Sequence, residues 1–118
     1  MFMALLMTIA SMLTGTTLPV QCNVGAEPGV DAYVYLETGP LHISHEWCSA
    51  LNKPRETKKG ARAALIFAHE LGHFKLNTYD EGKAECWGLN HVGAVAKQLG
   101  WDVVKTRRDA KYWTFCGA

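Results

Sequence analysis

No lysine or arginine occurs before Lys53, although Glu27, Asp31, Glu37 and Glu46 lie in that stretch. The formal net charge is only +1, and the basic residues of the C-terminal half are interspersed with acids, which describes a solvated surface and no nucleic-acid partner. No CxxC pair occurs, so the sequence supports neither a thioredoxin-type motif nor a cysteine-based zinc knuckle. Internal repeats and low-complexity tracts are also missing, which excludes a solenoid array. The longest apolar stretch, Met1 to Leu13, is too short for a secure membrane span.

That stretch is the first positive feature. Its length suits the apolar core of a secretory signal, and small residues follow at Thr14, Gly15, Thr16 and Thr17. The positive charge that normally precedes such a core is missing. Either the start lies upstream, or the segment is an apolar helix that stays with the protein. Residues 1–20 are expected to be a signal peptide or apolar N-terminal segment, and residues 21–118 a single small domain. Cys22, Cys48, Cys86 and Cys116 all follow the segment. An even count in a short, exported chain implies two disulfides and a secreted or cell-envelope location, without stable membrane association once a signal is removed. The spans between the cysteines favour Cys48 with Cys86 and Cys22 with Cys116.

Along the chain, Gln21 to Asp31 contains Gly25, Pro28 and Gly29 and reads as a loop. Tyr33-Val34-Tyr35-Leu36 and Leu41-His42-Ile43-Ser44 flank Thr38-Gly39-Pro40, the pattern of a small β-hairpin. Trp47 to Leu51 suggests a short helical turn, and Lys58-Lys59-Gly60 a solvated link. Ala61 to Leu76 is the strongest helix, rich in Ala and Leu and without proline. After a tight loop at residues 77–80, a second helix runs from about Asp80 to Leu99 and stops at Gly100. One face of it carries Ala84, Trp87, Gly88, His91, Val92, Val95 and Leu99 at helical spacing. Trp101 to Val104 reads as an extended link, and Arg107 to Phe115 as a last helix.

The chemistry sits in the strongest helix. His69-Glu70-Leu71-Gly72-His73 spells HExxH. Residues i and i+4 share a helix face, so the two imidazoles can grip one Zn²⁺ while Glu70 serves as candidate general base. Gly72 costs about 1 kcal/mol of helix propensity relative to Ala, but it lets another backbone or a substrate come close. A catalytic zinc needs a third protein ligand and an open position for water. Glu81 and Glu85 follow within a short loop, again at i and i+4. One could bind the metal and the other could orient a ligand histidine. Thr78 to Glu81 also reads as a capping box, which would leave Glu85 as ligand. A turn centred near Thr78 puts residue 85 level with residue 71, which favours Glu85 as well.

The run His69 to Glu85 resembles the gluzincin group of zinc metallopeptidases, in which HExxH is followed by E-x-x-A and then Asp, Asn or Glu, here Glu81-Gly82-Lys83-Ala84-Glu85. The run Asp80 to Gly88 is similar to small exported actinobacterial proteins with HExxH and then DExxAEC. The resemblance implies Glu81 as ligand and Glu85 as its support, against the geometric argument. Lys75 departs from the apolar residue often found there, and the loop to the third ligand is shorter than in most relatives. The expected metal site is His69, His73, Glu81 and Glu85 around one zinc ion, with Glu81 favoured as third ligand on the resemblance, Glu85 kept in the site, and Glu70 catalytic.

His91 is an alternative ligand, though a core histidine is the simpler reading. His42 and His45 with Glu46 lie near the hairpin, where Leu41 to Ser44 could offer an edge strand to an extended substrate. Tyr79 could donate to a developing oxyanion or simply pack. The expected fold class is α+β, mainly α-helical: a zincin-like helix pair with a small N-terminal β-hairpin. The expected function is peptide-bond hydrolysis by a monomer, on a peptide or protein substrate. The alternative is a zinc-binding or degenerate peptidase domain acting as a binding module without catalysis.

Overall fold

The computed structural model describes residues 2–23 and 30–118. In chain order it contains α1 (Phe2–Thr14), β1 (Val20–Cys22), β2 (Ala32–Val34), β3 (Leu41–Ile43), α2 (His45–Leu51), α3 (Lys58–Leu76), α4 (Glu81–Leu99) and α5 (Val103–Ala110). The fold is mainly α-helical with a small sheet, and α3 with α4 makes a zincin-like helix pair.

Side-chain caps set where these helices begin and end. α3 starts earlier than expected: Lys58, Lys59 and Gly60 form its first turn because Thr57 Oγ1 accepts the Gly60 N–H at 2.8 Å. It ends where Asn77 adopts a left-handed conformation (φ 51°) and the N–H groups of Asn77 and Thr78 return to the carbonyls of Phe74 and His73. The capping box expected over Thr78–Glu81 does not form. Asp80 is the N-cap of α4 instead, its Oδ1 accepting the Lys83 N–H at 2.9 Å, and Glu81 is left without a capping role.

Two glycines set how closely α3 and α4 approach. A Cβ on Gly72 would lie 2.7 Å from the carbonyl oxygen of Ala84, and one on Gly88 would lie 2.7 Å from the backbone nitrogen of His69. The helices therefore meet backbone to backbone, and this register makes them antiparallel. Phe67 and Leu71 of α3, Val92 and Val95 of α4, Leu6 and Ile9 of α1, and Leu41 and Ile43 of β3 are fully buried in one core. The apolar N-terminal segment is thus a helix packed into the domain. Among the described residues, no helix is long and apolar enough to cross a membrane.

The sheet has the order β1-β3-β2, with β1 parallel and β2 antiparallel to β3. The hairpin is present as expected. β1 falls at the start of the segment read as a loop, because three residues are too few for a periodic signal; Gly25, Pro28 and Gly29 of that loop lie outside the described residues. Leu41–Ile43 is the central strand, so both of its edges are already paired and it cannot take a substrate strand; Ser44 caps α2 instead. Among the described residues, β1 and β2 are the outer strands.

The disulfides are Cys22–Cys48 and Cys86–Cys116, which corrects the pairing expected from the spans. Spatial order decides it. β1 places Cys22 beside Ile43, and α2, which carries Cys48, follows immediately. The C-terminal helix is also earlier and shorter than expected. Asp102 Oδ1 accepts the Lys105 N–H at 2.9 Å and starts α5 at Val103, so Trp101 to Val104 is not an extended link. α5 ends at Ala110 and the chain turns, which frees residues 114–116 to run back to the start of α4.

Candidate metal centre

His69 and His73 stand one turn apart on α3, both buried, with ring centroids 4.7 Å apart. Each ring is tied down through Nδ1. The Nδ1–H of His73 donates to the carbonyl of Thr78 at 2.7 Å. A carbonyl can only accept, so in the neutral ring the proton is on Nδ1 and Nε2 keeps a lone pair. His69 Nδ1 faces Glu85 Oε1 at 2.7 Å, with the same consequence. Glu85 is itself held: its Oε2 accepts from Thr114 Oγ1 at 2.8 Å and from the Phe115 N–H at 3.2 Å.

The free nitrogens converge. His69 Nε2 and His73 Nε2 lie 3.1 Å apart, and Glu81 Oε1 lies 3.3 Å from the first and in direct contact with the second. Three atoms with lone pairs crowd one point, an arrangement that a cation relieves. Around a tetrahedral ion with bonds of about 2.0–2.1 Å, ligand atoms sit about 3.3 Å apart. Two imidazoles and a carboxylate are also a donor set that zinc accepts. The residues present therefore fit a metal, and the His69, Glu70, His73 cluster can coordinate one. Glu70 is buried beside it, with Oε2 3.9 Å from His69 Nε2. The Glu81 side chain is 68% exposed, so the cluster opens to solvent on that side.

The charges follow from this packing. Burial pushes the Glu70 carboxyl from 4.5 up to about 7; a charged His69 opposes the rise and the Glu81 carboxylate adds to it. Burial also pushes Glu85 up, but the hydrogen bonds from His69, Thr114 and the Phe115 N–H outweigh it and hold the carboxyl below its ordinary value. Burial disfavours charge on His69, yet the bond to Glu85 and the negative charges of Glu70, Glu81 and Glu85 raise its pKa.

A stability test follows for the chelator-treated protein. Between pH 4.5 and about 7 the folded chain keeps a proton on Glu70 that the unfolded chain has lost. Stability must then fall as pH rises through that window, by on the order of 3 kcal/mol. The His69 contribution is lost higher, as pH rises through a folded value above 6.5, and the Glu85 contribution is lost only below 4.5. Melting temperatures of wild type and Glu70→Gln, measured from pH 4 to 8, should converge at low pH and separate as it rises, with the variant the more stable. Parallel profiles would contradict the burial argument.

Beside the cluster lies a cleft of about 280 Å³, lined by Ala32 of β2, Leu65, Ile66, Glu70 and Phe115 among others. Both glutamates proposed from sequence, Glu81 and Glu85, reach the cluster. His91 does not: its Nδ1–H donates to the Trp87 carbonyl at 2.7 Å, and its ring stacks on Trp87 at 3.8 Å. His42 stacks on Tyr33 in the sheet, and Glu46 pairs with Lys59. Tyr79 is 71% exposed with its ring 6.5 Å from His73, so it is not a packing residue. Sequence reasoning missed Thr78, which acts through its backbone and carries no side-chain signal. It also missed Thr114 and Phe115. The position of Cys86 next to Glu85 was the available clue, since whatever Cys86 bonds to is brought beside Glu85.

Compared with known proteins, the chain matches no family model, no curated protein and no solved structure.

Proposed function

We propose that the protein is a zinc-dependent peptidase in which His69, His73 and Glu81 hold the metal and Glu70 is the general base. The observation that carries this reading is the convergence of His69 Nε2, His73 Nε2 and Glu81 Oε1, with both Nδ1 atoms occupied elsewhere. Glu85 is assigned a supporting role, because its two oxygens are engaged by His69, Thr114 and Phe115.

When bound, zinc lowers the pKa of a coordinated water from 15.7 to about 7 and polarises a carbonyl oxygen. The chain supplies the rest. Glu70 takes the proton of the attacking water and passes it to the leaving amine. Glu85 and the Thr78 carbonyl keep the imidazoles in one tautomer and orientation. Ala32 of β2 lines the cleft beside the cluster, together with Leu65 and Ile66 of α3. Two disulfides favour an oxidising, extracytoplasmic compartment.

Metal analysis tests the reading. Purified protein should carry about one zinc per chain, His73→Ala should lose it, and a hydroxamate should block hydrolysis. Protein that takes up no zinc on reconstitution would refute the proposal. Zinc retained without any hydrolysis of a peptide library would favour the binding-module alternative.

A further inference from the structure

Arg62 lies on α3 seven residues before His69, two helical turns away on the same side of the helix, and lines the cleft that His69 and Glu70 line. Its guanidinium is held between two indoles, with Cζ 4.5 Å from the Trp113 ring centroid and 5.1 Å from that of Trp47. Trp47 is fixed in turn, because its Nε1–H donates to Asp31 Oδ1 at 2.7 Å. Asp31 lines the same cleft, but it is engaged with Trp47 and forms no ion pair with Arg62.

Among the described residues, Arg62 has neither a hydrogen bond nor a carboxylate partner. A half-buried guanidinium with five N–H donors in a fixed fork ordinarily finds a planar anion. Here the indoles contact the guanidinium without accepting a hydrogen bond from it, so its N–H donors are uncommitted. Trp113 also lines a neighbouring cleft of about 530 Å³, with Lys58, Arg108, Asp109 and Tyr112; Asp109 pairs with Arg108 there at 3.5 Å, which leaves Lys58 as the further cation on that side. Lys58 precedes Arg62 by four residues and so shares its helix face.

We propose that Arg62 recognises a carboxylate on the substrate and makes the cleft selective for acidic peptides. The inference rests on the peptidase reading for its substrate, though not for the binding itself. Seven residues of helix span about 10 Å. At about 3.3 Å per residue of extended peptide, the carboxylate falls two or three residues from the bond cleaved. An acidic side chain and a chain-terminal carboxylate offer the same chemistry at that distance.

The test uses hexapeptides with one Glu moved along an otherwise neutral, amidated sequence, the Gln counterparts, and neutral peptides ending in a free carboxylate. Affinity is measured by calorimetry on zinc-loaded Glu70→Gln protein, and kcat/KM on the wild-type background. A preference for Glu over Gln of about tenfold or more is expected at a position two or three residues from the cut. It should collapse toward one in Arg62→Gln and survive in part in Arg62→Lys. If the amidated Glu series shows the preference, the source is a side chain; if only the free-acid series does, it is the terminus. Arg62→Met keeps the aliphatic stem between the indoles and substitutes for Arg62→Gln should that variant fail to fold. The proposal falls if wild type shows no preference, if the preference persists unchanged without Arg62, or if no acidic peptide binds. Arg62-dependent binding without cleavage would overturn the peptidase reading alone, whereas cleavage indifferent to charge would overturn the role of Arg62 alone.

Discussion

Glu70→Gln should retain about one zinc per chain and lose peptide hydrolysis by a factor on the order of 10²–10⁴ in kcat. The amide is nearly isosteric with the carboxylate, so the packing that buries Glu70 is conserved. What disappears is the ability to take a proton from water and return it to an amine. Glu70 is not one of the three groups whose donor atoms converge, and its Oε2 stands 3.9 Å from His69 Nε2. Removing its charge should therefore leave metal affinity largely intact. Because the effect is on the chemical step, kcat and kcat/KM should fall together, while KM changes little. Full activity in a correctly folded, zinc-loaded variant would eliminate Glu70 as general base. Loss of zinc from the variant would instead place Glu70 among the ligands.

Opening the Cys86–Cys116 disulfide, as Cys86→Ser with Cys116→Ser, should have the next largest effect, and on two quantities at once. Closing a span of 30 residues constrains the unfolded chain by about 3–4 kcal/mol, so the melting temperature should fall markedly. The disulfide also anchors the segment whose Thr114 hydroxyl and Phe115 N–H grip Glu85 Oε2. Glu85 in turn fixes the ring of His69. A released tail should therefore lower zinc affinity by about 10–100-fold, the usual cost of losing the partner that orients a ligand histidine. Cys22–Cys48 supplies the control. Its span of 26 residues is similar, but it joins β1 to α2 and touches none of the cluster. Cys22→Ser with Cys48→Ser should cost comparable stability and leave zinc affinity unchanged. Equal loss of zinc in both double variants would reduce the Cys86–Cys116 effect to general destabilisation. Thr114→Val, which keeps the disulfide and removes only the hydroxyl, should weaken zinc binding by less than the open tail does.

These expectations rest unequally on sequence and structure. Helix α3, its HExxH face and its α4 neighbour are legible because each depends on residues within a few positions of one another. Helix propensity from Ala61 to Leu76, the spacing of His69 and His73, and Gly100 as a stop are all local. Caps were legible only in part, since Thr57, Asp80 and Asp102 compete with neighbours for the same role and the winner shifts a boundary by several residues. Short strands were least legible: three residues at β1 carry no usable period, and its pairing partner lies about twenty residues on.

By itself the sequence determined the pair of helices, the two imidazoles on one face, the buried acid beside them and the presence of two carboxylates within reach. Helical periodicity and the tight loop at residues 77–80 suffice for that. Only the tertiary structure decided which carboxylate oxygen meets which ring nitrogen: Glu81 lies against both Nε2 atoms, while Glu85 lies behind His69 at Nδ1. It also decided the cysteine partners, the arrival of Thr114 and Phe115 at Glu85, and the seating of Arg62 between Trp47 and Trp113. The physical reason is common to all of them. Each depends on where segments distant in the chain are brought together by burial and close helix packing, and no local pattern encodes that distance.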